Sequence, residues 1–392
     1  MEKLNRDLNI LQLSPFFSPN IGGVETHLDD LVKELANRKI NSYVLTYQPV
    51  MSNIKAPSIE KIGKYIFIRR LEIIRNLFLK IEPYPILDFL FLTPPLLIYS
   101  IYFLIKRNKK NKIDMIHAHG LNAAFISMCL KVFFKTPFVV STHATYSFNK
   151  GLLSKLVSLI MSNANHIFTL SKASKEELLK IDLPESKISV YKYWVDQEKF
   201  NLKDKQALRK KYQINKDLFV VLFAGRLFEK KGVTPLIEGF NMLLNEDKIL
   251  IIAGTGPLEG FVKEQAELNN KIKYVGGLNS DLLSDYYSLA DALIIPSTHD
   301  EGFGRVIIEA LSSGIPIIGS NRGGIPEAVN NEVSILIDVN PKNVSKGIKE
   351  MEEFIIKNGA EKMQKKCRTF AEKNYSCDNI NTFIKIYEEI IK

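Results

Sequence analysis

Short, uninterrupted apolar runs recur through this 392-residue chain between stretches of helical periodicity, and the series runs through twice. In the first half the strand-like runs are Leu8–Leu13, Asn41–Thr46, Tyr65–Arg69, Met115–Ala118 and Phe138–Thr142, with a helix from about Gly23 to Arg38. In the second half they are Phe219–Ala224, Ile249–Ala253, Ile272–Val275, Ala292–Ile295, Ile315–Gly319 and Ser334–Ile337, with a helix over Val233–Leu244. Runs that are apolar throughout belong to strands covered on both faces, and strands separated by helices pair in parallel. The fold class is therefore α/β, with two Rossmann-like, doubly wound domains, and the chain is long enough to give each a core. The boundary is expected in the polar stretch Tyr193–Lys205, dividing residues 1–195 from 196–378. Asn379–Ile391 reads as an amphipathic helix that fits either domain. Doubly wound domains bind ligands at the carboxyl ends of their strands, so two of them facing each other would share a central cleft.

The residues with chemistry to offer follow those strands. After Ala292–Ile295 comes Ser297-Thr-His-Asp-Glu301-Gly-Phe-Gly-Arg-Val-Ile-Ile-Glu309, with Glu301 at a strand-to-helix turn and Glu309 about two turns into the helix. Gly302 and Gly304, with Phe303 between them, leave the backbone bare where helix N–H groups lack partners, a natural seat for phosphate. The flanking carboxylates would repel phosphate but accept hydrogen bonds from sugar hydroxyls on either side of it. A diphosphate with a sugar at each end is a nucleotide-sugar.

Three other strand ends fit that ligand. Gly22-Gly23 opens the first helix and allows close backbone approach, with a plain tight turn as the alternative. Arg226 and Lys231 follow Phe219–Ala224 and offer a fork and a point charge to a diphosphate, bound or leaving. His117, His119 and His143 end two strands. His117 and His119 share one face of a strand, so a metal pair is conceivable, but no acid or cysteine cluster lies in sequence reach; His117 reads instead as a core residue, and His143, among polar neighbours, is the candidate for touching a sugar. Gly254-Thr-Gly256-Pro-Leu-Glu-Gly260 imitates a dinucleotide fingerprint, but its third glycine is one position late and no acid ends the next strand. These glycines read as tight loops, lining a base and ribose pocket or serving structure alone.

The charge is uneven. Residues 1–190 hold 25 Lys and Arg against 15 Asp and Glu, whereas residues 191–392 hold 28 of each. The first half therefore carries the whole excess and suits an anionic surface or a phosphorylated partner; a solvated basic surface is the plain alternative. Ile86–Ile105 is mostly apolar and is followed by Lys106, Arg107, Lys109, Lys110 and Lys112. Asp88, Pro94 and Pro95 interrupt it, which leaves a core helix or an anionic membrane-surface patch over residues 86–112 as the readings. Cys129, Cys367 and Cys377 are far apart, as in a reducing compartment, and Met1–Asp7 lacks the apolar region of a secretory signal. A cytoplasmic protein, peripheral on the inner membrane face, is the expectation; no nucleic-acid partner is expected.

Gly22-Gly23-Val-Glu-Thr-His, Gly225-Arg226 through Lys231-Gly232, and Glu301-Gly-Phe-Gly through Glu309-Ala together resemble the group 1 (family 4) retaining glycosyltransferases of the GT-B fold, in order and over nearly the whole chain. The resemblance implies a first, acceptor-side domain and a second, nucleotide-sugar-binding one, with the C-terminal helix 379–391 returning to the first. It implies that Glu301 meets donor sugar hydroxyls and Glu309 the ribose. It also implies that Arg226 and Lys231 bind the diphosphate, that Gly22 and Gly23 lie near phosphates and acceptor, and that His143 lies near the sugar. The activity implied is a retaining hexosyl transfer from a nucleoside-diphosphate sugar, with UDP-N-acetylglucosamine first among candidates, to a glycan or lipid-linked acceptor. No cofactor and no metal is required. An epimerase of the same fold, or a non-catalytic nucleotide-sugar-binding subunit of a membrane complex, are the other readings. Two departures stand out: Tyr193-Trp-Val-Asp196 replaces the usual Asn-Gly-Val-Asp turn, and Arg305, at a position often apolar in relatives, is expected to meet phosphate or face solvent.

Overall fold

The computed structural model describes residues 8–20, 22–50, 54–81, 84–109, 111–143, 151–243 and 247–392. Met1–Asp7, Lys110 and Leu244, which figure in the expectations above, lie outside the described residues. The chain divides into two units, residues 1–191 with Asp378–Lys392, and Lys192–Cys377.

In the first unit the elements are β1 (Asn9–Leu13), α1 (Gly23–Asn37), β2 (Asn41–Tyr47), β3 (Ile59–Ile62), β4 (Ile66–Leu71), α2 (Arg75–Ile81), α3 (Pro85–Asn108), β5 (Met115–His119), α4 (Leu121–Phe134), β6 (Phe138–Ser141), α5 (Leu152–Ser162), β7 (His166–Thr169), α6 (Lys172–Leu179) and β8 (Ile188–Val190). The sheet order is β3-β4-β2-β1-β5-β6-β7-β8, and every described pairing is parallel except the edge hairpin β3–β4. Ile10, Leu11 and Leu13 of β1 have no exposed surface, nor do Met115, Ile116 and Ala118 of β5, as a sheet covered on both faces requires.

In the second unit come α7 (Lys205–Lys211), β9 (Phe219–Ala224), α8 (Val233–Asn241), β10 (Lys248–Ala253), α9 (Glu259–Leu268), β11 (Ile272–Gly276), α10 (Ser280–Leu289), β12 (Ala292–Ile295), α11 (Arg305–Ser312), β13 (Ile317–Ser320), α12 (Ile325–Ala328), β14 (Ser334–Ile337), α13 (Pro341–Asn358) and α14 (Ala360–Tyr375). The order β11-β10-β9-β12-β13-β14 is parallel throughout. It is the dinucleotide-fold order, reversing direction between β9 and β12, and the loops that leave those two strands flank the crevice where such sheets bind ligands.

The last helix, α15 (Asn381–Ile391), packs in the first unit. Its Phe383 ring lies 4.4 Å from Phe168 of β7 and 4.7 Å from Tyr191.

Candidate functional site

The topology of the second unit decides the neighbours of Glu301. Lys231 leaves β9 and Glu301 leaves β12, and because those strands are paired the two side chains meet: Lys231 Nζ donates to Glu301 Oε1. Ser297 Oγ donates to the same oxygen at 2.5 Å. The Glu301 side chain is only 11% exposed, against 25% for Lys231. Burial alone would raise the Glu301 carboxyl. The Lys231 charge and hydrogen bond, then Ser297 and His299, outweigh burial and hold it below the usual range.

The loops around this pair are fastened by backbone. Thr298 N and His299 Nδ1 both donate to Lys230 O, at 2.9 and 2.8 Å. Gly232 adopts φ +71, and a Cβ there would lie 1.8 Å from Pro296 O, so only glycine lets the two loops touch. A third loop, Asn321–Gly324 after β13, also holds the turn: Gly324 N donates to Glu301 O at 2.8 Å. The Gly323-Gly324 pair is the one signal in the sequence for this loop, and it lies outside the motifs set out above. Beside Glu301, a cavity of about 320 Å³ is lined by Ser297, Thr298, Ser320, Asn321, Arg322 and Asp338, with Ile337 and Val339.

Helix α11 begins at Arg305 with Gly304 as its cap (φ +82), so Glu309 lies little more than one turn in, not two. Gly302 and Gly304 belong to the turn before the helix. The Phe303 ring is buried, its centroid 5.8 Å from that of Tyr193 and 5.6 Å from that of Tyr375, so its side chain is committed to packing. Glu309 is buried and doubly held: Arg305 Nε donates to Oε1 at 2.9 Å and Tyr287 OH to Oε2 at 3.0 Å. Arg305 does not face solvent: its side chain is 9% exposed and its Nε is paired with Glu309, one turn on. Tyr287 carried no sequence signal, since an aromatic in a helix reads as core.

Arg226 is exposed, its guanidinium 5.8 Å from the Phe228 ring centroid. The loops after β9 and β10 are joined by Leu227 N to Thr255 O at 2.8 Å and Leu258 N to Leu227 O at 3.0 Å. Gly254 and Gly256 thereby brace the segment that carries Arg226 and Lys231.

In the first unit Gly22 caps α1, and Thr26 Oγ1 donates to Gly22 O at 2.8 Å. A Cβ on Gly22 would lie 2.2 Å from a Glu25 carboxylate oxygen, so Glu25 folds back over the helix start, where burial raises its carboxyl. Among the described residues, nothing beyond its chain neighbours and its own helix backbone lies within 4 Å of a Cβ built on Gly23.

The strand-end histidines form one cluster. His119 Nδ1 lies 3.2 Å from His143 Nε2, and His119 Nε2 lies 2.9 Å from Gln12 Oε1. His117 sits behind them between Tyr387 OH at 2.6 Å and Ser141 Oγ at 2.7 Å, a buried and satisfied residue. Burial lowers His143 to about 4. Burial first, then neighbouring histidines, lowers His119 and His117 well below the ordinary value. All three rings are neutral at pH 7 and act as hydrogen-bonding groups. Among the described residues no three His, Cys, Asp or Glu side chains are grouped to hold a metal ion.

Two family models match the chain in tandem, Glycosyltransferase Family 4 over residues 21–199 and Glycosyl transferases group 1 over residues 204–374. An uncharacterized glycosyltransferase of Methanocaldococcus jannaschii is 28% identical over 69% of this chain and 73% of its own length. A phosphatidylinositol N-acetylglucosaminyltransferase component of Homo sapiens is 25% identical over 98% of this chain and 77% of its own. Among solved structures, Anabaena HepE in complex with UDP and glucose superposes with a TM-score of 0.76 at 19% identity, over 97% of this chain and 99% of that one. That likeness concerns the fold.

Proposed function

The chain belongs to the group 1 glycosyltransferases of the GT-B fold, and from that premise we propose that it moves a hexosyl group from a nucleoside-diphosphate sugar to an acceptor hydroxyl with retention of anomeric configuration. The observation that carries the reading is the contact between Lys231 and Glu301. It joins a cation suited to a diphosphate and a carboxylate suited to sugar hydroxyls at the ligand-binding end of one sheet.

In this reading Arg226, Lys231 and the bare backbone of Gly302–Gly304 take up the charge of the departing diphosphate. Glu301, kept ionised by Lys231, accepts hydrogen bonds from donor hydroxyls, and Glu309, oriented by Arg305 and Tyr287, accepts from the ribose. The bond from the anomeric carbon to the diphosphate oxygen breaks as a bond to the acceptor oxygen forms on the same face. The acceptor proton passes to the leaving diphosphate. Neither metal nor cofactor enters these steps. Gly22, Gly23 and the neutral His143 are assigned to donor and acceptor contacts.

We take the donor to be a UDP-sugar, UDP-N-acetylglucosamine first. The likeness to the human N-acetylglucosaminyltransferase component supports that choice. The acceptor is a glycan or lipid-linked molecule at the cytoplasmic membrane face, in line with the basic first half of the chain. A thermal-shift panel of nucleotide-sugars identifies the donor, since the preferred ligand raises apparent stability by mass action. The anomeric configuration of the product, read by NMR, then tests retention. Inversion, or conversion of the donor without transfer, would overturn the proposal.

A further inference from the structure

Four helices lie side by side in the first unit, α2 against α3, α3 against α4, α4 against α5. Their inner side chains share one core with the sheet, with Leu92, Leu96 and Leu104 of α3 and Val157 of α5 among them. The outer side is not the polar face such helices normally present. In α3, Ile86, Leu90, Ile98, Tyr102 and Ile105 are 51–69% exposed, along one stripe of about four-residue spacing. In α5, Leu153, Leu156 and Leu159 are 66%, 48% and 55% exposed. The most apolar window of α3 has a mean hydropathy of 1.7, yet only 22% of it is buried. A core helix of that composition would be covered all round; this one is uncovered along its outer side.

Charge selects the occupant. Residues 73–112 carry seven Lys and Arg against Glu82 and Asp88. Lys106, Lys109 and Lys112 are exposed at the carboxyl end of α3, and Lys155 stands among the α5 leucines. Apolar side chains fringed by lysine match acyl chains beneath anionic headgroups. A second copy of this face would bring the same positive charge to the contact.

We propose that the outer face of α2, α3 and α5 docks on an anionic bilayer, with α3 lying in the plane of the membrane. It does not cross, because its inner face is committed: Tyr47 OH donates to Leu92 O at 2.6 Å, and the Arg107 guanidinium lies 4.3 Å from the Tyr43 ring centroid. Those contacts also fix direction, since Tyr47 ends β2 and Tyr43 lies near its start. The first turns of α3 therefore lie at the carboxyl end of the sheet. α5, which follows β6, begins at that end too, and so does His143. The docking face reaches the end of the sheet where a lipid-linked acceptor would present its head. For that last step the inference rests on the proposed acceptor; the docking itself does not.

The test floats the full chain with phosphatidylcholine vesicles, with and without phosphatidylglycerol, and follows transfer and nucleotide-sugar binding on the same preparation. The wild type is expected to float with anionic vesicles and to keep part of that binding at high salt, because apolar burial is not screened. Replacing Leu90 and Leu156 by Ser, at exposed positions that leave the circular dichroism unchanged, should lower vesicle affinity roughly tenfold for each leucine. Changing Lys106, Lys109 and Lys112 to Gln should lower it roughly fivefold for each charge, at low salt only. A wild type that stays in solution while still binding nucleotide-sugar would overturn the docking face and leave the transferase reading standing. So would leucine variants that float unchanged, or that convert a dimer to a monomer without affecting flotation. Flotation without transfer to any lipid-linked acceptor would sink the acceptor reading and keep the docking face.

Discussion

Lys231 and Glu301, seventy residues apart in sequence, share a hydrogen-bonded ion pair because their strands are neighbours at the point where the second sheet reverses direction. Neither side chain is fully buried, so the pair is no rigid strut of the core. A donor that brings its own anion to Lys231 and its own hydroxyls to Glu301 satisfies both partners at once.

Replacing Glu301 by Gln should therefore lower transfer by about two to three orders of magnitude, while UDP binding, read by calorimetry, is retained or strengthened as Lys231 is released. Equal loss of transfer and UDP binding would mean that Glu301 serves the nucleotide and not the sugar.

The acid limb of the rate profile carries the second expectation. The Glu301 carboxyl is depressed, so the charged pair is complete above the ordinary carboxylate range and is lost as pH falls through the lower folded value. In Lys231→Met burial acts with its chief opponent removed, and the acid limb of the residual transfer should move to higher pH. An unmoved limb would show that Lys231 does not set the ionisation of Glu301.

Arg305 and Glu309 are each less than a tenth exposed, so breaking the pair from one side strands a buried carboxylate. Arg305→Leu should cost about 3 kcal/mol in urea unfolding of the second unit. Arg305→Lys should recover only part of that, because an ammonium does not reproduce the guanidinium fork. Unchanged stability in Arg305→Leu would remove the positioning role given to this residue.

His117, His119 and His143 titrate below an unfolded histidine. The unfolded chain therefore binds more protons between about pH 6.5 and 4, and the stability these groups contribute is present above that window and falls through it as pH drops. Hydrogen exchange of β5 and β6 should accelerate across that interval. Protection that stays flat down to pH 4 would contradict the neutral cluster.

Much of the architecture was legible because buried parallel strands must be apolar on both faces. Phe219–Ala224, Ala292–Ile295 and Ser334–Ile337 have the expected bounds. Strands without that imprint escaped: β3 sets Glu60 and Lys61 between its two isoleucines at an exposed edge, β7 opens on His166, and β8 has three residues. In the candidate site, residue types and strand-end positions could be read from the chain, since a bare glycine turn or a cation after a strand is a local signal. Partnerships could not. Nothing near Glu309 in sequence points to Tyr287, and the hold of Gly324 on Glu301 depends on how β12 and β13 pair.

The return of α15 to the first unit has a consequence for the ribosome. Tyr387 and Phe383, which cover His117 and Phe168, are polymerised only after the whole second unit, whereas the sheet they cover precedes it. During synthesis the first unit waits with that aromatic face open while the second unit, continuous in sequence from Lys192 to Cys377, folds as it emerges. Completion of the first unit thereby waits until the whole of the second has been synthesised.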